Sequence, residues 1–388
     1  MRKKKHGYKY FFQVMGGLFS IILILVFIIN VIVPNRKFSE KENRVLASRP
    51  EMDVARMSTG KYQKSYEAYV NDQFFGRDFW VTVKASADRL LGRTDANGVY
   101  LCKDGYLMEA FQPPSQEHLD ATVNAMKDFA VRHSELQQYA LIVPNAAEIL
   151  KDKLPAAAPS KSQSPYLDAT RDALEKSGVT FIDVRDILTQ HNEDGIYYRT
   201  DHHWTTQGAY FAYLQAAEVM GLDSSLVSYE KLPVTNSFQG TLSAKSGFRS
   251  SEKEEIDVFL PKEDSLSSVV TYVDEQKKSA SFYAASQLDG RDKYALFFDG
   301  NHPKVVINTP TQENRTLLIL KDSYANCFVP FLAQHYRTIV MIDPRYYYGD
   351  LEELIQVENI QEILYLYNAN TFFSDTSLEL ALAPGEEG

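Results

Sequence analysis

Residues 316–325 read Thr-Leu-Leu-Ile-Leu-Lys-Asp-Ser-Tyr-Ala. The run Thr316 to Leu320 is apolar without alternation, which marks a strand buried on both faces rather than one with a wet side. A helical pattern, Tyr324 to His335, begins directly behind it, so the segment is a strand, a turn at Lys321-Asp322-Ser323 and a helix. Four other runs share the character of the first: Tyr139 to Val143 (YALIV), Val179 to Val184 (VTFIDV), Thr338 to Ile342 (TIVMI) and Ile363 to Leu366 (ILYL). Between most of them lie helical patterns at Gln116 to Arg132, Pro165 to Lys176, Thr206 to Met220 and Leu351 to Glu358. Strands separated by helices imply a parallel sheet covered on both faces, a doubly wound α/β layer. The interval Leu222 to Arg315 breaks this rhythm. It is polar, with short β-like pieces at Ser268 to Tyr272 and Tyr294 to Phe298, and reads as an insertion or β-rich subdomain.

Upstream of the alternating region the chain changes character. Residues 1–10 form a basic tail in which Arg2, Lys3, Lys4, Lys5 and Lys9 stand without an acid, and residues 11–33 are 23 uncharged residues containing IILILVFII. That length suffices for a bilayer core needing about 20 residues, and the basic flank holds the N-terminus in the cytoplasm. A cleaved signal peptide is the competing reading. The apolar stretch exceeds the usual h-region of ~7 to 15 residues, and its exit, NVIVPNRKF, offers no clean small-x-small site, which favours an uncleaved single-pass anchor. Residues 34–60 read as a charged juxtamembrane linker and 61–388 as the main domain. Within the latter, Lys61 to Phe75 carries Tyr62, Tyr66, Tyr69, Val70 and Phe74 at helical spacing and is expected to pack as core. Val99 to Cys102 and Tyr106 to Glu109 flank Asp104-Gly105 as a hairpin.

The full chain carries 41 basic and 51 acidic residues, a net charge of −10. Without the five basic residues of the tail the balance is 36 against 51, so the body carries −15. Such an excess of carboxylates argues against nucleic acid as a partner, because phosphate neutralisation supplies most of that affinity. Cys102 and Cys327 fit either one disulfide or two buried thiols, and neither has a base nearby in sequence.

In open α/β sheets chemistry gathers beyond the carboxyl ends of the strands. Ser323 occupies such a place, with the free amides of a helix N-terminus beside it to stabilise an oxyanion, although serine is also a favoured helix cap. The second feature is Asp201-His202-His203-Trp204. An acid and an imidazole two positions apart project to one side of an extended segment, so Asp201 can hold one ring nitrogen of His203 while the other faces a nucleophile. Packing histidines and a metal site compete with this. No HExxH-type spacing is present and adjacent histidines point apart, so a nucleophile and base rank above a metal, and no metal or cofactor is expected.

The tetrad Asp201 to Trp204, followed 120 residues after His203 by Ser323 in Lys-Asp-Ser-Tyr-Ala, resembles the bacterial DHHW family, itself similar to the alginate O-acetyltransferases with their SGNH-hydrolase-like domains. Tyr69 to Phe74 with Arg77, the hairpin Gly98 to Leu107, Val143-Pro144-Asn145, Gly300 to Pro303 and Asp343 to Tyr347 extend the resemblance. It implies a circularly permuted SGNH-hydrolase-like three-layer fold, in which Asp201 and His203 precede the serine. It also implies an oxyanion asparagine after the ILYL strand, Asn368 with Asn370 next. Arg345 would orient an acyl or sugar group or form a structural salt bridge. Trp204 and Tyr324, with Tyr197, Tyr198, Tyr346 and Tyr347, would form a sugar-stacking surface or pack. Lys321 stands where the pattern has glycine, and His202 receives no role.

The activity so implied is that of a membrane-anchored extracytoplasmic O-acetyltransferase working on a cell-envelope or secreted polysaccharide through acyl-Ser323, His203 acting as base and Asp201 as its orienter. A membrane-bound O-acyltransferase-type partner would supply acetyl groups. A polysaccharide acetylesterase and a noncatalytic anchored glycan-binding protein are the alternatives. The acidic body suits neutral or weakly charged glycans better than strongly anionic ones.

Overall fold

A strand that is apolar at every position needs a layer on each face, and Thr316–Lys321 has both. In the computed structural model, which describes residues 2–39, 44–52, 54–156, 158, 160–248, 253–262 and 268–383, its side chains alternate between two cores. Leu317 and Ile319 face the helix Thr206–Met220 and the helix Ala325–Leu332. Leu318 and Leu320 face the helices Gln116–Arg132, Ser164–Glu175 and Leu351–Val357. The three-layer arrangement expected of a doubly wound sheet is therefore present.

The eight strands of this sheet, labelled in chain order, are β1 (Gln137–Val143), β2 (Val179–Phe181), β3 (Val269–Tyr272), β4 (Lys277–Ser279), β5 (Lys304–Asn308), β6 (Thr316–Lys321), β7 (Thr338–Ile342) and β8 (Glu362–Asn368). Their spatial order is β4-β3-β5-β7-β6-β8-β1-β2. All five strands read from apolar runs, β7, β6, β8, β1 and β2, pair in parallel. The other three add on antiparallel beyond β7, with β5 in five-residue register from Lys304 opposite Ile342 to Asn308 opposite Thr338.

The interval Leu222 to Arg315 thus builds a sheet edge, together with a separate ribbon of Tyr229–Phe238 paired with Glu254–Pro261. Two of its details differ from expectation. Tyr294 to Phe298 is no strand: Lys293–Leu296 is a 3-10 turn, and Phe298 and Asp299 have φ of 58° and 60°, a left-handed backbone that cannot continue an extended chain. Val179 to Val184 is a strand only to Phe181, because Asp183 Oδ1 accepts the Arg185 N–H at 3.0 Å and turns the chain into the helix Arg185–Gln190. The hairpin is as read, Val99–Leu101 against Leu107–Glu109, with Asp104 and Gly105 at φ of 56° and 75°.

The chain divides into two units, Met1–Gly92 and Arg93–Gly388, so the helix Lys61–Gln73 belongs to the first and not to the main domain. Nor is its aromatic stripe core, since Tyr66, Val70 and Phe74 are exposed. The same unit contains the helix Arg2–Ile32, whose part Tyr8–Ile32, 25 residues, is long and apolar enough to cross a membrane. It also contains a helix that the periodicity of the sequence does not mark, Arg77–Leu90, entered through Gly76 at φ 65°.

Candidate active site

The carboxyl ends of β1, β6, β7 and β8 deliver Asn145, Ser323, Asp343 with Arg345, and Asn368 to one edge of the sheet. Ser323 sits two residues past β6, in a turn fixed by its neighbour. Asp322 Oδ1 accepts the Tyr324 N–H at 2.9 Å, while Oδ2 accepts the Asn368 N–H at 3.0 Å and its side-chain amide. The serine turn is thereby tied to the end of the adjacent strand. Among the described residues, the Ser323 N–H makes no hydrogen bond.

From the loop before the helix Thr206–Met220, His203 Nε2 reaches Ser323 Oγ at 2.7 Å and His203 Nδ1 reaches Asp201 Oδ1 at 2.5 Å. With Asp201 ionised, Nδ1 carries the proton and Nε2 is left to accept from the serine hydroxyl. Burial would raise the Asp201 carboxyl, but the His202 and His203 rings, with hydrogen bonds from His203 and the Thr241 N–H, hold it well below the carboxylate range. Burial lowers His203 to about 4; His202 adds to the shift and Asp201 opposes it. The imidazole is neutral at physiological pH, the state a general base requires.

The structure brings Asp201, His203 and Ser323 together, and it adds four residues that local sequence patterns do not reveal. Thr241 gives its N–H (2.8 Å) and hydroxyl (3.0 Å) to Asp201 Oδ2. Gly240 lets this happen, for a β-carbon there would overlap the Asp201 side chain. Tyr294, from the 3-10 turn, stacks on His203 with ring centroids 3.7 Å apart and planes at 12°, and its hydroxyl donates to Ser323 O at 3.3 Å. Gln163 joins Asn145 and Asn370, giving Nε2 to both amide oxygens at 2.9 Å. Asn145 belongs to the Val-Pro-Asn string of the family resemblance, without a role assigned to it there; nothing local in sequence marks Gly240, Thr241, Tyr294 or Gln163.

Other expectations change. Trp204 and Tyr324 offer no sugar-stacking surface, since both are 0% exposed. Trp204 lies against the Tyr324 and Phe328 rings and donates Nε1–H to Tyr324 O at 3.0 Å, while the Tyr324 hydroxyl donates to His202 O at 2.6 Å. They brace the histidine loop on the serine turn from beneath. Tyr197 and Tyr198 are likewise buried, whereas Tyr346 is exposed. Arg345 forms the salt bridge of its two readings, Nε to Asp343 Oδ1 at 2.8 Å and a terminal nitrogen to Oδ2 at 2.6 Å.

Asn368 donates both amide hydrogens within the protein, to Asp322 and to Thr371 Oγ1, the latter at 2.7 Å. Asn370 lends its Oδ1 to Gln163 and its N–H to Asn145, while its Nδ2 makes no bond to the described residues. His202 Nδ1 meets Thr241 Oγ1 at 2.9 Å. Ligand atoms of Asp201, His202 and His203 lie within 4.8 Å of one another, but His203 Nε2 is directed at Ser323 and both Asp201 oxygens already accept hydrogen bonds.

Below the serine turn, Lys321 is 1% exposed and donates to Asn301 Oδ1 at 3.0 Å and Asn326 Oδ1 at 2.9 Å, 3.7 Å from Asp343. Burial lowers its ammonium to about 8 against the pull of Asp343. Cys102 and Cys327 are free and buried, their thiols pushed up to about 12, so neither is a nucleophile at neutral pH.

The chain resembles three known proteins in particular. It is 25% identical over 264 residues to a probable alginate O-acetylase AlgJ of Pseudomonas putida, covering 66% of this chain and 65% of that one. It therefore spans just under two thirds of the length of the curated relative. In fold it is similar to a DHHW family protein from Eubacterium siraeum, with TM-score 0.63, 22% identity, and 75% and 98% of the two chains covered. A Bacillus cereus PatB1 structure with a sulfonyl adduct gives TM-score 0.57, 21% identity, and 72% and 97% coverage. The family model of the SGNH hydrolase-like domain of the acetyltransferase AlgX matches residues 83–307, more than half of the chain, a range holding Asp201, His203, Gly240, Thr241 and Tyr294 and stopping short of Ser323. On that match the chain belongs to the SGNH hydrolase-like family of the acetyltransferase AlgX.

Proposed function

We propose that the protein is a membrane-anchored extracytoplasmic O-acetyltransferase that modifies a polysaccharide through acyl-Ser323. The observation that carries this is the contact of His203 Nε2 with Ser323 Oγ at 2.7 Å, backed by Asp201. His203 takes the hydroxyl proton as Oγ attacks the acetyl carbonyl, then returns it to the leaving group of the donor. In the second half-reaction His203 deprotonates a sugar hydroxyl, which attacks the acyl-serine. The acetyl group passes to the sugar and Oγ recovers its proton.

The Ser323 N–H and the Asn370 Nδ2, neither of which donates to the described residues, are free to stabilise the developing oxyanion, whereas the amide hydrogens of Asn368 are both engaged. Loss of one such donor typically costs about 100- to 1,000-fold in rate. The basic residues Arg2 to Lys9 ahead of the apolar helix favour the outer face of the membrane for the remainder of the chain. A membrane-bound O-acyltransferase-type partner would hand over the acetyl group there. The relatives named for alginate favour a secreted or cell-envelope polysaccharide as acceptor, and the −15 body favours a weakly charged one.

The full chain in detergent, given an activated acetyl ester and neutral oligosaccharides, tests this reading. Acetylated oligosaccharide that disappears in Ser323→Ala supports it. Acetate released only to water makes the protein an esterase, and no turnover at all makes it a noncatalytic binder.

A further inference from the structure

The helix Arg77–Leu90 is inside out for a helix in water. Its covered side carries Asp78, Val81, Thr82, Ala85 and Asp88, while Phe79, Trp80, Val83 and Leu90 are exposed, Trp80 by 51% and Leu90 by 89%. At 100° per residue these four, with Ala87, fill an arc of about 100°, with Lys84 just beyond one edge of it and Arg89 on the far, polar side between Asp78 and Thr82. The turn before the helix exposes two more rings, Phe74 and Phe75.

Hydrogen bonds fix the height of this apolar face. The Phe75 N–H donates to Asn30 Oδ1 at 2.8 Å, and Asn30 lies two residues before the end of the apolar helix Tyr8–Ile32, about 3 Å along its axis. Next to it, the Gln73 amide clips the Arg36 backbone in both directions, each at 2.9 Å, and the Tyr69 hydroxyl donates to Asn35 Oδ1 at 3.2 Å. The exposed rings of Phe74 and Phe75 are therefore held level with the point where the apolar span ends, and the helix Arg77–Leu90 starts from that level. That is the depth at which aromatic residues collect at a bilayer surface.

We propose that the Phe74-Phe75 turn and the helix Arg77–Leu90 form a lipid seat, with Phe75, Phe79, Trp80, Val83 and Leu90 in the boundary between headgroups and acyl chains. An aromatic and aliphatic stripe opposite a charged face is the composition of a helix that lies in that plane. The seat rests on the reading of Tyr8–Ile32 as a membrane anchor and extends it: the chain leaves the bilayer through a second, in-plane contact rather than a free linker.

The protein has two tryptophans, and Trp204 is fully buried, so lipid-borne quenching reads Trp80. The full chain is reconstituted in vesicles of phosphatidylethanolamine and phosphatidylglycerol, with or without lipid brominated near the top of its acyl chains. The seat requires that brominated lipid abolish the Trp80 emission and that Trp80→Phe remove the lipid-sensitive component. Placing the probe anew as Phe75→Trp in the Trp80→Phe background should restore it. Emission untouched by brominated lipid overturns the proposal in either form: quenched by aqueous acrylamide, the face is in water; quenched by neither, a protein covers it. Flotation of the chain with the vesicles reports the anchor separately. A chain that floats with lipid-insensitive Trp80 loses the seat alone, and one that does not float loses the anchor on which the seat depends.

Discussion

Gly240 lies so close to Asp201 that the acidic side chain fills the space a β-carbon would need. The glycine has an ordinary extended backbone, φ −83° and ψ −179°, so its role is steric rather than conformational. It lets the next residue, Thr241, bring its N–H and hydroxyl to Asp201 Oδ2.

Gly240→Ala should therefore push the carboxylate off His203. Misplacement of a catalytic group by an ångström can cost about 100-fold, and a loss of that order in ester turnover is expected with the thermal transition still cooperative. Steady-state rates beside a melting curve check it; unchanged turnover would show that the Asp201 position does not matter.

Asp201→Asn should lower turnover by about 10,000-fold, the cost of a wrongly held imidazole tautomer. Its neighbour His202 acts through charge. Because burial and His202 lower His203 to about 4, turnover should rise with pH through that value as the base loses its proton, then level off. His202→Gln removes a charge that disfavours the imidazolium, so the acidic limb should move to higher pH. A limb that stays or moves down contradicts the assignment.

Tyr294 supports His203 by its ring and Ser323 O by its hydroxyl. Tyr294→Phe keeps the stack and should retain most turnover, whereas Tyr294→Leu loses it and should lower kcat more than it raises KM. Equal effects of the two substitutions would locate the contribution in the hydroxyl instead.

The residues of the hydrogen-bonded chain were legible because each sits in a local signature. Ser323 ends an apolar strand, and Asp201 and His203 are two positions apart in one tetrad. Their supports were not. Thr241 and Tyr294 are 40 and 91 residues from the groups they touch, delivered by a ribbon and a 3-10 turn within a polar interval whose pattern names no partner. For Trp204 and Tyr324 the structure decides between the two readings in favour of packing. A ring adjacent in sequence to a reactive group points away from it when the neighbour faces the site, and here it points into the core.

Lys321 predicts a stability signature. Its folded value of about 8 lies below the ordinary lysine value, so between the two the unfolded chain binds more protons and stability should increase with pH. The contribution is present above the unfolded value and is lost as pH falls through about 8. Lys321→Met should flatten that rise. Denaturation midpoints of both proteins from pH 7 to 10 measure it, and an equal slope in the variant would assign the dependence to other groups.

On the proposed mechanism Ser323 carries the acyl group and His203 activates it. Intact-mass analysis of the full chain after brief exposure to an activated acetyl ester, with peptide mapping, tests it most directly. One acetyl group per chain on the peptide holding Ser323, absent from Ser323→Ala and greatly slowed in His203→Gln, is the expected result. Acetylation of Ser323→Ala at the wild-type rate, or none in the wild type, would contradict it.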